Sequence, residues 1–116
     1  MYLPVAHAEG KFVPRNEQVL ADLEKAGQLV LRYQALESNG NGQSSEKLPF
    51  PDNPNGSVAN VAGVCDTTGR VLGLMPHPER FIDPTQHPRW TRGEAGDANV
   101  AGEGMQLFRN AVQYFA

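Results

Sequence analysis

Three features of the chain predict an α/β fold with a mixed or partly antiparallel sheet and two main helices. Short apolar stretches of period two alternate with segments of helical period. The turn sequence Asp66-Thr67-Thr68-Gly69 joins two of those stretches as a hairpin, and only two segments carry a full amphipathic helix. Two helices cover one face of a sheet or little more. Either one face of the sheet is wet, or something else covers it, and on element count the sequence reads as part of a domain.

The elements follow in order. Tyr2 to Ala6 is a short apolar strand that runs into His7-Ala8-Glu9-Gly10. Asn16 can cap a helix, with Glu17 favourable in its first turn, Lys25 near its end and Gly27 as the stop. Val19, Leu20, Leu23 and Ala26 recur at helical spacing and are expected to face a sheet. Gln28 to Gln34 reads as a strand, with Leu29, Leu31 and Tyr33 on one face and Arg32 and Gln34 on the other. Val58 to Cys65 and Arg70 to Met75 are the hairpin strands. A last helix from Glu103 to Phe115 is expected to bury Met105, Phe108, Val112 and Phe115.

Two long irregular segments interrupt this order. Leu36 to Ser57 is rich in Asn, Gly, Ser and Pro, and Phe81 to Gly102 is broken by Pro and Gly. Loops longer than about 15 residues are uncommon in compact domains and are usually functional or disordered. Ser38 to Lys47 has the composition of a linker. Asp52-Asn53-Pro54-Asn55-Gly56-Ser57 instead carries the turn chemistry of a specific tight loop.

Composition narrows the classes of function. The 116 residues suffice for one domain, and the net charge of -3 lacks the basic surplus of a nucleic-acid footprint. No apolar run approaches the roughly 20 residues of a membrane span, and the start lacks the pattern of a signal peptide. A single cysteine suits a reducing cytoplasm. The spacing of His, Glu and Cys matches no compact zinc pattern, so no metal site is expected.

The richest stretch is Val71-Leu-Gly-Leu-Met-Pro-His-Pro-Glu-Arg80, an apolar strand leading to His77 and Glu79 between prolines. In an extended segment, side chains two apart share a face, so the imidazole and the carboxylate can sit together. A carboxylate beside an imidazole sets its tautomer and stabilises the imidazolium, the orienting half of a nucleophile–His–acid triad. The plainer alternative is a rigid strand exit with a surface ion pair. His7 and Glu9 repeat the spacing at another strand end, where ligands gather in open α/β sheets. With Asn53 and Asn55 they are candidates for an active-site rim or a partner contact. His87 reads as a loop residue, Trp90 as a packing or interface anchor, and Arg80 as a structural residue paired with a nearby carboxylate or carbonyl.

Several motifs recur here in one order: Pro4-Val-Ala-His-Ala-Glu-Gly10, Asp52-Asn-Pro-Asn-Gly-Ser57, Val61-Ala-Gly-Val, Thr68 through Arg80, His87-Pro-Arg-Trp90 and Gly104-Met-Gln-Leu-Phe-Arg-Asn-Ala-Val-Gln-Tyr114. Over nearly its whole length the chain closely resembles the C-terminal half of the glutaminase component of phosphoribosylformylglycinamidine synthase. That component is a class I (triad) glutamine amidotransferase with a flavodoxin-like domain. Ala8 departs slightly from the glycine usual at that position.

The resemblance implies a step of purine biosynthesis in the cytoplasm. Glutamine is hydrolysed and its ammonia passes to a synthetase subunit, which uses ATP and Mg to convert formylglycinamide ribonucleotide to its amidine; no cofactor is expected in this chain. The family's Cys-His-Glu triad falls on His77 and Glu79. Its nucleophile belongs to a Gly-x-Cys-x-Gly elbow upstream of the segment that corresponds to residue 1, so the N-terminal half of the glutaminase domain is an expected partner. Neither nucleic acid nor membrane is expected to be one. Cys65, in Gly63-Val-Cys-Asp-Thr-Thr-Gly69, enters a hairpin with no helix following, and reads as a small core hydrophobe. On this reading the chain alone is expected to be inactive. The other reading is a non-catalytic half-domain that acts as an interaction or complementing module.

Overall fold

The computed structural model describes residues 1–8, 10–35, 47–93 and 101–116. It falls into two compact units, one made of residues 7–75 and the other of residues 1–6 with 76–116.

The first unit contains helix α1 (Glu17–Lys25) and strands β1 (Leu31–Arg32), β2 (Val61–Cys65) and β3 (Leu72–Leu74). Helix α1 starts and stops where its end residues dictate. The Asn16 side chain accepts the Val19 N–H at 2.9 Å. At the other end Gly27 has φ 68°, and the Gly27 and Gln28 amides turn back to the Glu24 and Leu23 carbonyls. This is the left-handed glycine stop that satisfies terminal carbonyls. Its apolar face is shallower than expected, with Val19, Leu20 and Leu23 half-buried and Ala26 exposed.

The sheet is antiparallel throughout, in the order β1-β2-β3. Gly63 pairs with Leu74 and Cys65 with Leu72 across the predicted hairpin. The Asp66 side chain accepts the Arg70 and Val71 amides, both at 3.0 Å, and Gly69 takes φ 70°. Strand β1 is shorter than Gln28 to Gln34, although Gln28 brackets Cys65 by accepting its N–H and donating to its carbonyl. Alternation holds along this stretch: Leu29, Leu31 and Tyr33 are half-buried, and Val30, Arg32 and Gln34 exposed.

Residues Val58–Asn60 do not continue β2 backwards as the sequence suggested. They form a 3-10 turn in which Ala59 and Asn60 have φ 51° and 57°. Asn tolerates this left-handed region, and the conformation carries the Asn60 side chain inward to a buried position. Arg32 stabilises the turn by donating to the Ala59 carbonyl at 3.0 Å while it pairs with Glu24 of α1. The interior of this unit is Val61, Ala62 and Gly63 with the polar Asn53, Ser57 and Asn60.

The second unit holds helix α2 (Met105–Phe115) and three single 3-10 turns, Pro78–Phe81, Pro84–Gln86 and Trp90–Arg92. The predicted strand at Tyr2 to Ala6 reduces to one antiparallel bridge between Val5 and Pro76. Pro4 has no N–H to donate, but its carbonyl accepts the His77 amide at 2.8 Å. Phe81 and Pro84 are buried, as are Gly102 and Gly104, whose amides donate to the Ile82 and Phe81 carbonyls. Helix α2 runs where expected but does not bury its stripe. Met105 is half-buried, whereas Phe108, Val112 and Phe115 are exposed, because nothing among the described residues covers that face.

Candidate active site

His77 and Glu79 meet, but by a tighter backbone route than the extended one foreseen. His77 stands in the extended region at the start of the Pro78–Phe81 turn, which Pro78 opens. Proline suits that first position, since its missing donor would find no partner within the turn. The turn curls Glu79 back on the imidazole, and His77 Nδ1 lies 2.8 Å from Glu79 Oε1. The His77 side chain is about one-third exposed and that of Glu79 more than half.

The electrostatics agree with that geometry. The hydrogen bond from His77 holds the Glu79 carboxyl below the ordinary glutamate range, helped by a backbone hydrogen bond and by the positive charge of His77 and Arg80. A carboxylate at Nδ1 favours the tautomer that carries its proton there, leaving the Nε2 lone pair to take up a proton. The imidazolium then formed is stabilised by the same carboxylate. Such a pair can serve as a general base and then as a general acid.

The Asp52–Ser57 loop builds itself from its own side chains. Asn53 Oδ1 accepts the Gly56 and Ser57 amides at 2.9 and 3.1 Å; its Nδ2 donates to the Ser57 carbonyl at 2.9 Å and to Asn60 Oδ1 at 3.1 Å. Asn53 is buried and committed to the loop, so a rim or contact role gives way to a structural one. Asn55 is similarly engaged: its Oδ1 accepts from the Ser57 hydroxyl at 2.9 Å, and its Nδ2 donates to the Gly10 carbonyl at 2.8 Å. With the Phe12 N–H donating to Ser57 Oγ at 3.1 Å and the Val58 N–H to the Phe12 carbonyl at 3.0 Å, the loop pins residues 10–12. His7 is exposed just before that segment, and Glu9 lies outside the described residues. Asn60 was missed as a hub; an Asn at the entry to an apolar strand is the available signal.

The remaining candidates are ordinary in setting. Cys65 is half-buried in β2 with its backbone tied to Gln28, and a turn follows it, not a helix. His87 packs against Tyr2 and Phe81 at centroid distances of 5.4 and 5.5 Å, and its Nδ1 accepts the Arg89 amide. Trp90 is half-exposed on its short turn. Arg80 was expected to pair with a carboxylate or carbonyl; it is exposed at the turn's end and acts on Glu79 through its charge. Among the described residues, no three His, Cys, Asp or Glu side chains gather to hold a metal ion. No helix among them is long and apolar enough to cross a membrane.

Comparison with known families decides the class. A family model described as CobB/CobQ-like glutamine amidotransferase domain matches residues 1–115. The chain belongs to this family. It is 40% identical over 114 residues to phosphoribosylformylglycinamidine synthase subunit PurQ of Dehalococcoides mccartyi, which covers 98% of this chain and 39% of that protein. The protein of the same name from Thermomicrobium roseum is 51% identical over 109 residues, 90% of this chain and 40% of that one. That of Methanococcus maripaludis strain C5 is 37% identical over 121 residues, 98% and 43%. The chain thus spans about two-fifths of the length of these relatives.

Proposed function

We propose that this chain carries the acid–base half of a glutaminase site in phosphoribosylformylglycinamidine synthase, with His77 as proton carrier and Glu79 as its orienting carboxylate. The observation that supports the reading most is the 2.8 Å contact from His77 Nδ1 to Glu79 Oε1, in a chain of the glutamine amidotransferase family. Cys65, the only cysteine in the sequence, lies inside a hairpin, so the nucleophilic thiolate comes from outside these 116 residues.

The chemistry then runs in two halves. His77 takes the proton of a cysteine thiol, the thiolate attacks the carboxamide carbon of glutamine, and backbone amides near it hold the oxyanion. The tetrahedral intermediate collapses as protonated His77 gives its Nε2 proton to the departing nitrogen, releasing ammonia and leaving a thioester. Neutral His77 next takes a proton from water, which attacks the thioester to give glutamate and restore the thiol. Glu79 stays ionised throughout, holding the ring and stabilising its charged form. The ammonia passes to a synthetase partner in the cytoplasm, where ATP and Mg drive formation of the amidine.

The test is made on a glutaminase of the relatives' full length that contains this segment, together with its synthetase. Glutamine should yield glutamate and ammonia, and in the presence of ATP and formylglycinamide ribonucleotide it should yield the amidine. A complex that uses free ammonia but not glutamine would contradict the reading and favour a non-catalytic, complementing half-domain.

A further inference from the structure

We propose that Gly102 and Gly104 are positioning residues for the His77–Glu79 pair, forming a backbone clamp that only glycine permits; the inference rests on the glutaminase reading above. Gly104 has φ -60° and ψ -27°, a conformation open to any residue, so backbone freedom does not explain a glycine there. Space does. A Cβ at Gly104 would lie 2.0 Å from the Pro78 carbonyl oxygen and 2.8 Å from that of Phe81. A Cβ at Gly102 would lie 2.4 Å from the Phe81 carbonyl oxygen and 2.9 Å from its carbonyl carbon. These obstacles include backbone atoms, which cannot rotate aside as a side chain can.

The atoms approached belong to the turn that joins the pair. Pro78 is the residue between His77 and Glu79, and Phe81 closes the same turn. The Gly104 N–H donates to the Phe81 carbonyl at 2.9 Å and the Gly102 N–H to the Ile82 carbonyl at 2.9 Å, drawing both glycines onto the turn. The start of the turn is held by the His77 N–H donating to the Pro4 carbonyl. A methyl group at Gly104 must push the Pro78 peptide away by more than about 1 Å to reach ordinary van der Waals distance. That shift falls on the residue that links His77 to Glu79 and so moves the pair. Misplacements of about 1 Å at a catalytic group cost on the order of 100-fold in rate.

The experiment uses the full-length glutaminase with its synthetase and compares Gly104→Ala, Gly102→Ala and Gly27→Ala. Gly27 has φ 68° with nothing within 4 Å of its Cβ position, so its alanine variant strains the fold without pressing on a neighbour. Gly104→Ala should lower kcat for glutamine by about 100-fold. It should also move the limb of the pH–rate profile that reports the imidazole, while KM stays within a few fold. Gly102→Ala, which presses two residues further along, should lose less. Gly27→Ala should lower the melting temperature yet keep kcat and the pH profile. A folded Gly104→Ala with unchanged kcat and profile would overturn the clamp. If Gly104→Ala does not fold, Gly102→Ala is read instead, and failure of both to fold would assign the glycines a purely structural role. An inactive wild type, or an active His77→Ala, would instead overturn the glutaminase reading, so the two failures are distinct.

Discussion

On the proposed glutaminase reading His77 and Glu79 take different shares of the work, and their substitutions should differ accordingly. Glu79→Gln keeps a group beside Nδ1 but removes the charge that stabilises the imidazolium. A neutral partner for a catalytic histidine lowers the rate by up to about 10⁴-fold, and loss of the proton carrier itself costs about as much or more. Steady-state glutamine hydrolysis should therefore rank Glu79→Gln above His77→Ala in residual activity. Because the Glu79 carboxyl is held below its ordinary range, its contribution is fully present above the unfolded value of about 4.3 and is lost as pH falls through the lower folded value. Acid inactivation by neutralising this carboxylate should thus set in only below the ordinary glutamate range, which a carbon-detected titration of the Glu79 carboxyl would show. Cys65→Ser, by contrast, should keep near-full activity with a modest stability loss. The partnership of His77 and Glu79 was legible from their spacing of two, but its backbone was not. Two flanking prolines suit an extended run and the start of a 3-10 turn alike, and the chain takes the turn.

Among the elements, legibility followed local chemistry. The ends of α1 were readable because Asn16 and Gly27 act within one turn of themselves. The hairpin was readable because Asp66 and Gly69 form its turn unaided. The start of β2 was not, since the Asn60 side chain at the left-handed turn is held by the Leu48 amide and Asn53, twelve and seven residues away and outside the strand. Two predictions belong here. The Asp66 carboxyl is lowered to about 2, first by its hydrogen bond from Thr68 and then by that of the Val71 amide. Its stabilisation of the hairpin is present above about pH 3.9 and fades as pH falls toward 2, which carbon-detected titration of the carboxyl would show. Asn53→Ala removes a buried group with four hydrogen bonds and takes away the acceptor of the Gly56 amide, leaving the Ser57 amide only Asn55 Oδ1. It should cost about 2–4 kcal/mol in chemical denaturation, with residues 10–12 losing amide protection first.

At the scale of the whole molecule, many large apolar side chains among the described residues stand exposed. Buried hydrophobic side chains among the described residues are Val61, Ala62 and Phe81, while Phe108, Val112 and Phe115 of α2 and Val71 and Leu72 at β3 face outward. Burial of α2 was the expectation that failed, because helical period marks an apolar face without saying what covers it. The 116-residue chain by itself should therefore bind a hydrophobic dye and associate in sedimentation, and a dye-silent monomer with a cooperative transition would oppose that expectation. Membership in the glutamine amidotransferase family and the geometry of one His–Glu pair together support the functional account. Its most direct test is glutamine hydrolysis by the full-length glutaminase carrying His77→Ala, with glutamine binding measured in parallel. Glutamine binding should persist while ammonia release falls by several orders of magnitude; ammonia release at the wild-type rate would mean that His77 is not the proton carrier.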